Sequence, residues 1–220
     1  MIPYSIISIN NSRLGNKIIA RRVFSDWEEL KLPSLNATRD DDLNKFYSKY
    51  PNFKLGWDGF KRGEIGNFAS HYIRWKFLVN SDIEYILVLE DDIKINSIEL
   101  PYLIEDRIKN LPKDWDVYSV FVDSNQYSRY NHSHGSSEIV FAYQDWSTLA
   151  YIISKSGAIK LCGYVDDGPG MDDPTDWFIF RKGHRGIFNV YTNHPEKNIP
   201  IEIDHQYDSL VQNTLGLNND

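Results

Sequence analysis

The apolar run Tyr85-Ile86-Leu87-Val88-Leu89 ends abruptly in three consecutive carboxylates, Glu90-Asp91-Asp92. A continuous apolar run of this length reads as a strand buried on both faces, as in a parallel sheet. Open α/β sheets bind ligands at the carboxyl ends of their strands, and the three acids stand at such an end. Side by side they repel one another, and burial raises their pKa values further. A hard divalent cation removes both penalties, because oxygen ligands suit Mg²⁺ or Mn²⁺. The competing reading is a solvated acidic turn. Glu90 and Asp92 have the acid-x-acid spacing of a metal clamp, which a substrate diphosphate would complete, since these ions take few protein ligands.

The flanking pattern supports an α/β fold. Residues 4–9 form a β-branched run, and Asn10-Asn11-Ser12-Arg13 punctuates it. Ile19, Val23, Trp27 and Leu30 recur at helical spacing and predict a helix that Pro33 stops. The charge run Arg39-Asp40-Asp41-Asp42 reads as a solvated helix start. Gly63-Glu64-Ile65-Gly66 opens an amphipathic pattern. Ile65, Phe68, Ala69, Tyr72 and Ile73 make its apolar stripe, and Asn67, Ser70, His71 and Arg74 share the opposite face. Leu100, Leu103, Ile104 and Ile108 predict a further helix, closed by Leu111-Pro112. Residues 117–122, 139–143 and 148–154 read as strands and 156–161 as a helix. Strands interleaved with helices give the α/β class. Residues 125–137 and 166–176 read as loops, the first a candidate lid.

A chain of 220 residues is expected to form one domain, residues 1–220, with a sizeable core. Its net charge of −7 argues against nonspecific binding to nucleic acid or anionic lipid. The single cysteine, Cys162, allows neither an internal disulfide nor a thiolate metal cluster. No signal peptide or membrane-length apolar run is visible, so a soluble, cytoplasmic protein is expected.

Several constellations could carry chemistry. Of the five aspartates between Asp166 and Asp176, Asp176 is the best placed for a general base, because Trp177-Phe178-Ile179-Phe180 follows directly and anchors it to the core. The others read as turn caps or solvated acids. His71, on the polar face of its helix, is either a ligand contact or a satisfied structural histidine. His194 and His205 are each either a nitrogen ligand for the metal or an exposed loop residue. No Walker loop, Gly-x-Gly-x-x-Gly, Gly-x-Ser-x-Gly elbow or zinc-spaced His/Cys set is present, which demotes P-loop kinases, dehydrogenases, serine hydrolases and zinc enzymes.

Gly63-Glu64-Ile65-Gly66-Asn67-Phe68-Ala69-Ser70-His71 with Trp75-Lys76 resembles the Gly-Glu-Ile-Gly-Cys-x-x-Ser-His-x-x-x-Trp-Lys signature of glycosyltransferase family 25, which includes lipopolysaccharide and collagen galactosyltransferases. Leu87-Val88-Leu89-Glu90-Asp91-Asp92 is similar to the family's Leu-Glu-Asp-Asp element. Leu149-Ala150-Tyr151-Ile152-Ile153-Ser154 with Gly157-Ala158 is similar to its Ala-Tyr-x-Ile-Ser-x-x-Gly-Ala stretch, and Pro174-Thr175-Asp176 to its Pro-Val-Asp. Asn67 replaces the usual Cys, a change read as packing only.

The resemblance implies a GT-A type fold with a mixed, mostly parallel sheet flanked by helices. It also implies a UDP-hexose donor (galactose or glucose) and Mn²⁺ or Mg²⁺. The implied reaction is inverting transfer to a hydroxyl of a surface glycan such as lipopolysaccharide. By the same resemblance Asp176 is the catalytic base, and Asn10, Arg13, Ser70, His71, Glu90 and Asp91 contact the donor. Glu90, Asp92 and His194 hold the metal, with His205 the alternative to His194. A phage-type transferase acting on a nucleic-acid base, a two-metal phosphohydrolase and an inactive sugar- or nucleotide-binding module remain the other readings. The oligomeric state is left open.

Overall fold

The computed structural model describes residues 1–9, 13–121, 139–142, 147–194 and 199–204. Asn10, His205 and the 125–137 segment lie outside the described residues. In chain order the elements are β1 (Tyr4–Ile7), α1 (Leu14–Val23), α2 (Asp40–Lys49), α3 (Arg62–Val79), β2 (Tyr85–Glu90), β3 (Ile93–Ile95) and α4 (Leu100–Lys109). There follow β4 (Val117–Ser119), β5 (Ile139–Phe141), β6 (Ala150–Ser154), α5 (Lys155–Asp166), α6 (Thr175–His184), β7 (Val190–Asn193) and β8 (Ile201–Ile203).

Six strands form one sheet in the order β1-β2-β6-β4-β7-β5. β1, β2, β4 and β7 point one way, while β6 and β5 oppose them. The sheet is therefore mixed, with its four co-directional strands ending at one edge. Alternation along β2 divides its side chains between two cores. Ile86 and Val88 pack with Phe68, Tyr72 and Trp75 of α3, Leu161 of α5 and Phe178 of α6. Leu87 and Leu89 pack with Ala20 of α1, Leu100 and Ile104 of α4, and Ile93 and Ile201 of the small β3–β8 sheet. Burial on both faces explains the unbroken apolar run in the sequence.

The α/β expectation holds, with local differences. The helix expected through Leu30 ends at Val23. Phe24 and Trp27 turn into the core, and Glu29 returns as a bridge beside Tyr4, so their spacing reflects packing rather than a helix. β3, α6, β7 and β8 had no clear period, being short or tied to polar loop sequence.

α3 departs most from expectation. Its supposed polar face is as buried as its apolar stripe: Ser70, His71 and Arg74 are all buried. Glu64 caps the helix start by accepting the Lys61 backbone N–H at 2.8 Å. Gly66 lets the chain pass close by, since a Cβ there would lie 3.0 Å from the Leu35 carbonyl oxygen. Arg74 donates to the carbonyls of Pro33, Ser70, Ile6 and Leu32 at 2.7 to 3.1 Å, tying α3 to the end of β1 and to the 32–33 segment. Much of the Gly-Glu-Ile-Gly…Ser-His signature is thus architecture.

Candidate active site

The acids of the Glu90-Asp91-Asp92 triplet part company as β2 turns into β3. Glu90 is the last residue of β2 and points towards α3. His71 Nε2 lies 3.1 Å from its Oε1, and the Thr148 hydroxyl donates to the same oxygen at 2.6 Å. Thr148 precedes the oppositely directed β6, which brings it to the end of β2. Asn67, one helical turn before His71, also bonds the Glu90 carboxylate, and the Thr175 hydroxyl donates to Asn67 Oδ1 at 2.7 Å. Burial pushes Glu90 up, but the hydrogen bonds of His71, Thr148 and Asn67 outweigh it and hold the carboxyl below its usual range. His71, wholly buried, is driven down by the same burial and stays neutral.

Asp91 turns the other way. Arg13 Nη1 lies 2.9 Å from its Oδ1 with both side chains nearly buried, and Asn16 donates to its carbonyl at 3.2 Å. Asp92 sits between these two arrangements with less support. Arg13 is 3.9 Å from its Oδ2, and its Oδ1 is buried with no hydrogen-bond partner among the described residues. Burial first, then the charge of Glu90, pushes Asp92 up to about 7, with Arg13 opposing. Asp204, at the end of β8, donates its backbone N–H to the Asp92 carbonyl at 2.7 Å and accepts from Asn16 at 2.9 Å.

Asp176 lies in the first turn of α6, next to Thr175, which ties that helix to Asn67 and so to Glu90. Its Oδ1 accepts the Trp177 backbone N–H at 2.8 Å. Burial raises its pKa to about 6 and the charge of Glu90 adds to this, while the Trp177 N–H and Arg181 oppose it. Two half-buried carboxylates with pKa values raised towards neutrality thus lie near a third, Glu90, that several protein donors hold in its charged form, a setting suited to cation binding and proton removal.

The neighbouring aspartates are structural. The buried Lys182 lies 2.6 Å from Asp172 and 3.2 Å from Asp173, and Arg181 lies 2.8 Å from Asp173. Gly170, at φ +91°, lets this loop cross the 54–56 segment, where the Gly56 N–H donates to the Met171 carbonyl and the Met171 N–H to that of Lys54.

Several site expectations need correction. Ser70 has no hydroxyl left for a donor, because it donates to Gly66 O at 2.7 Å and accepts from Leu35 N at 2.8 Å. His71 is wholly buried beneath Glu90 rather than exposed to a ligand. Glu90 Oε1 is committed to His71 and Thr148, and Asp91 to Arg13. His194 follows β7, which β6 and β4 separate from β2, about 14 Å at ordinary strand spacing. No three His, Cys, Asp or Glu converge as a metal-ligand set among the described residues. The triplet still fits a divalent ion held by one carboxylate and substrate phosphates, because Asp92 supplies a buried oxygen without a proton donor. Sequence reasoning missed Asn67, Thr148, Tyr151, Asn16 and Asp204. Only Asn67 carried a signal: four residues before His71, it shares that helix face.

The family model for glycosyltransferase family 25 (LPS biosynthesis protein) matches residues 1–178. Procollagen galactosyltransferase 2 of Homo sapiens is 33% identical over 157 residues, covering 70% of this chain and 24% of the relative. A glycosyltransferase 25 family member of Aedes aegypti is 36% identical over 156 residues, 64% of this chain and 25% of the relative. An inactive glycosyltransferase 25 family member 3 of Mus musculus is 29% identical over 157 residues, 64% of this chain and 26% of the relative. The chain thus spans about a quarter of the length of these curated relatives. Among solved structures, a glycosyltransferase involved in glycosylation of the major capsid of PBCV-1 aligns with TM-score 0.48 and 9% identity, covering 97% of each chain.

Proposed function

The chain belongs to glycosyltransferase family 25, and we propose that it is a GT-A type transferase moving a hexose, galactose or glucose, from a UDP-sugar to an acceptor hydroxyl. The observation that carries this reading is the pair Asp92 and Asp176, two half-buried carboxylates near Glu90 with pKa values raised towards neutrality. In this reading Asp92 holds Mn²⁺ or Mg²⁺. When bound, that ion neutralises charge growing on the leaving diphosphate. Arg13, fixed by Asp91, lies beside Asp92 and adds positive potential on the donor side. Asp176 takes the proton of the acceptor hydroxyl. The oxygen then bonds the anomeric carbon as the carbon–phosphate oxygen bond breaks and UDP departs. Direct displacement inverts that centre, so an α-linked donor yields a β-linkage. Glu90 accepts a hydroxyl of the donor.

The acceptor we favour is a surface glycan such as lipopolysaccharide. The family model that matches residues 1–178 is described as an LPS biosynthesis protein, the similar proteins include a procollagen galactosyltransferase, and the net charge of −7 disfavours a nucleic-acid acceptor. Residues 1–220 act in this reading as one catalytic domain in the cytoplasm. No described helix is long and apolar enough to cross a membrane. The test is to incubate the purified chain with UDP-galactose or UDP-glucose, with Mn²⁺ or with EDTA, and to quantify UDP. Metal-dependent release from one donor is expected. The inactive mouse relative gives the second reading, a binding module. Donor-induced thermal stabilisation without UDP release from any donor, across an acceptor panel, would favour it.

A further inference from the structure

A buried polar chain runs from α3 through β6 to Glu90 at the end of β2, and each of its links has a fixed direction. The Trp75 indole can only donate, and its Nε1 lies 3.0 Å from Tyr151 Oη. The Tyr151 proton is therefore free to go to His71 Nδ1, 2.8 Å away. With Nδ1 accepting, a neutral His71 carries its proton on Nε2, which faces Glu90 Oε1 at 3.1 Å. The other neutral tautomer fails twice: it points a bare Nε2 at a carboxylate and leaves the Tyr151 proton without its nitrogen acceptor. An imidazolium also strands that proton, and it places a cation in a wholly buried position near the buried Arg74. The Nε2–H tautomer alone pairs every donor of this chain with an acceptor.

A second arm ends on the same carboxylate. The Thr175 hydroxyl donates to Asn67 Oδ1, which turns the Asn67 amide nitrogen towards Glu90. With the Thr148 hydroxyl, Glu90 receives donors from α3 and from the segment before β6, while its side chain keeps 20% exposure. A carboxylate so held can only accept, and its direction is set before any ligand arrives.

We propose that His71 is a positioning residue, locked as its Nε2–H tautomer by Trp75 and Tyr151, that fixes Glu90 as a ready-aimed acceptor for a hydroxyl of the transferred sugar. The role of Glu90 rests on the transferase reading; the tautomer lock does not. A site that bonds a particular hydroxyl discriminates against a sugar that presents it elsewhere, so the lock contributes to donor choice.

The test has two parts on the full chain. Long-range ¹H–¹⁵N NMR of the ¹⁵N-labelled protein reads the imidazole tautomers, and His71→Gln identifies the His71 signals by their loss. A neutral His71 protonated at Nε2 is expected, with the bare Nδ1 resonance shifting in Tyr151→Phe as the phenol donor is lost. A wild-type His71 protonated at Nδ1 or at both nitrogens overturns the proposal, as does an unmoved Nδ1 resonance in Tyr151→Phe. Kinetics then separate positioning from packing. Tyr151→Phe should lower kcat for UDP release about tenfold and narrow the preference between UDP-galactose and UDP-glucose, the scale seen when an outer hydrogen-bond partner is lost. His71→Gln, which keeps an N–H donor, should retain more activity than His71→Leu. Equal rates and an unchanged donor preference in Tyr151→Phe would refute positioning. A wild-type chain that releases no UDP but shows the Nε2–H tautomer refutes the transferase reading and upholds the lock.

Discussion

Glu90 and Asp92 lie two residues apart in one turn, yet their surroundings are opposite. The floor of the candidate site, around Glu90, is finished: His71, Thr148 and Asn67 direct donors at one carboxylate, and Tyr151, Trp75 and Thr175 orient two of those donors. The rim is unfinished. Asp92 has a buried oxygen with no described donor, and Asp176 relies on the neighbouring backbone N–H of Trp177. Burial acts on all three acids; what differs is the supply of donors, and the pKa values diverge accordingly. A carboxylate whose partners are all protein is fixed for recognition. One left short of partners is kept for a ligand, a cation or a proton.

The largest expected effect lies at the rim. Asp92→Asn should reduce metal-dependent UDP release by about a thousandfold, because several kcal/mol of charge stabilisation are lost with the ion. Mn²⁺ should raise the melting temperature of the wild type but not of this variant. Near-normal turnover in Asp92→Asn would break the contrast between rim and floor. Asp176→Asn should cost about a hundredfold or more in transfer, the usual worth of a general base. The wild-type rate should rise with pH through about 6, because Asp176 must lose its proton before it can accept one. A rate that stays flat from pH 5 to 8 would remove Asp176 from that role.

The sequence made the rim easier to read than the floor. The apolar run and the acids that end it are contiguous, so strand, edge and charge could be inferred together. Asp176 was singled out because an apolar block follows it. The floor draws on α3, β2, the start of β6 and the start of α6, which only the sheet order brings together. Helical periodicity marks His71 and Asn67 as polar neighbours but cannot say that their face is buried against Tyr151 and Glu90. Reading Asn67 as a packing change failed for this reason: a Cys there lacks the amide that links Thr175 to Glu90. Likewise β3 and β8 have three residues each, too few for a period, yet they bring Asp204 beside Asp92.

The Asn67 link gives a smaller, sharper test. Asn67→Cys restores the family's usual residue and removes both halves of the link. It should destabilise the fold by about 1–2 kcal/mol, since the Thr175 hydroxyl and one side of Glu90 lose a partner in a part-buried site. Activity should fall less than in Asp92→Asn, because Glu90 keeps His71 and Thr148. Unchanged stability, measured by urea unfolding, would show that a floor with one donor missing is still complete, and the contrast with the rim would weaken.

The smallest effect runs in the stabilising direction. Asp92 holds its proton up to about pH 7 in the folded chain, against an ordinary value of 3.8. Between those limits the folded state binds more protons than the unfolded state, so stability falls as pH rises. The penalty is absent below about pH 4 and complete above about pH 7. A shift of this size corresponds to at most about 4 kcal/mol, and the partial exposure of the side chain reduces it to about 1–2 kcal/mol. In EDTA, Asp92→Asn should therefore be more stable than the wild type at pH 8 and equal to it at pH 4. Floor and rim then separate by sign: Asn67→Cys loses stability where Asp92→Asn gains it. A variant that is less stable at pH 8 would mean that Asp92, like Glu90, already has the partners it needs within the protein, and the rim would have to be read as a second floor.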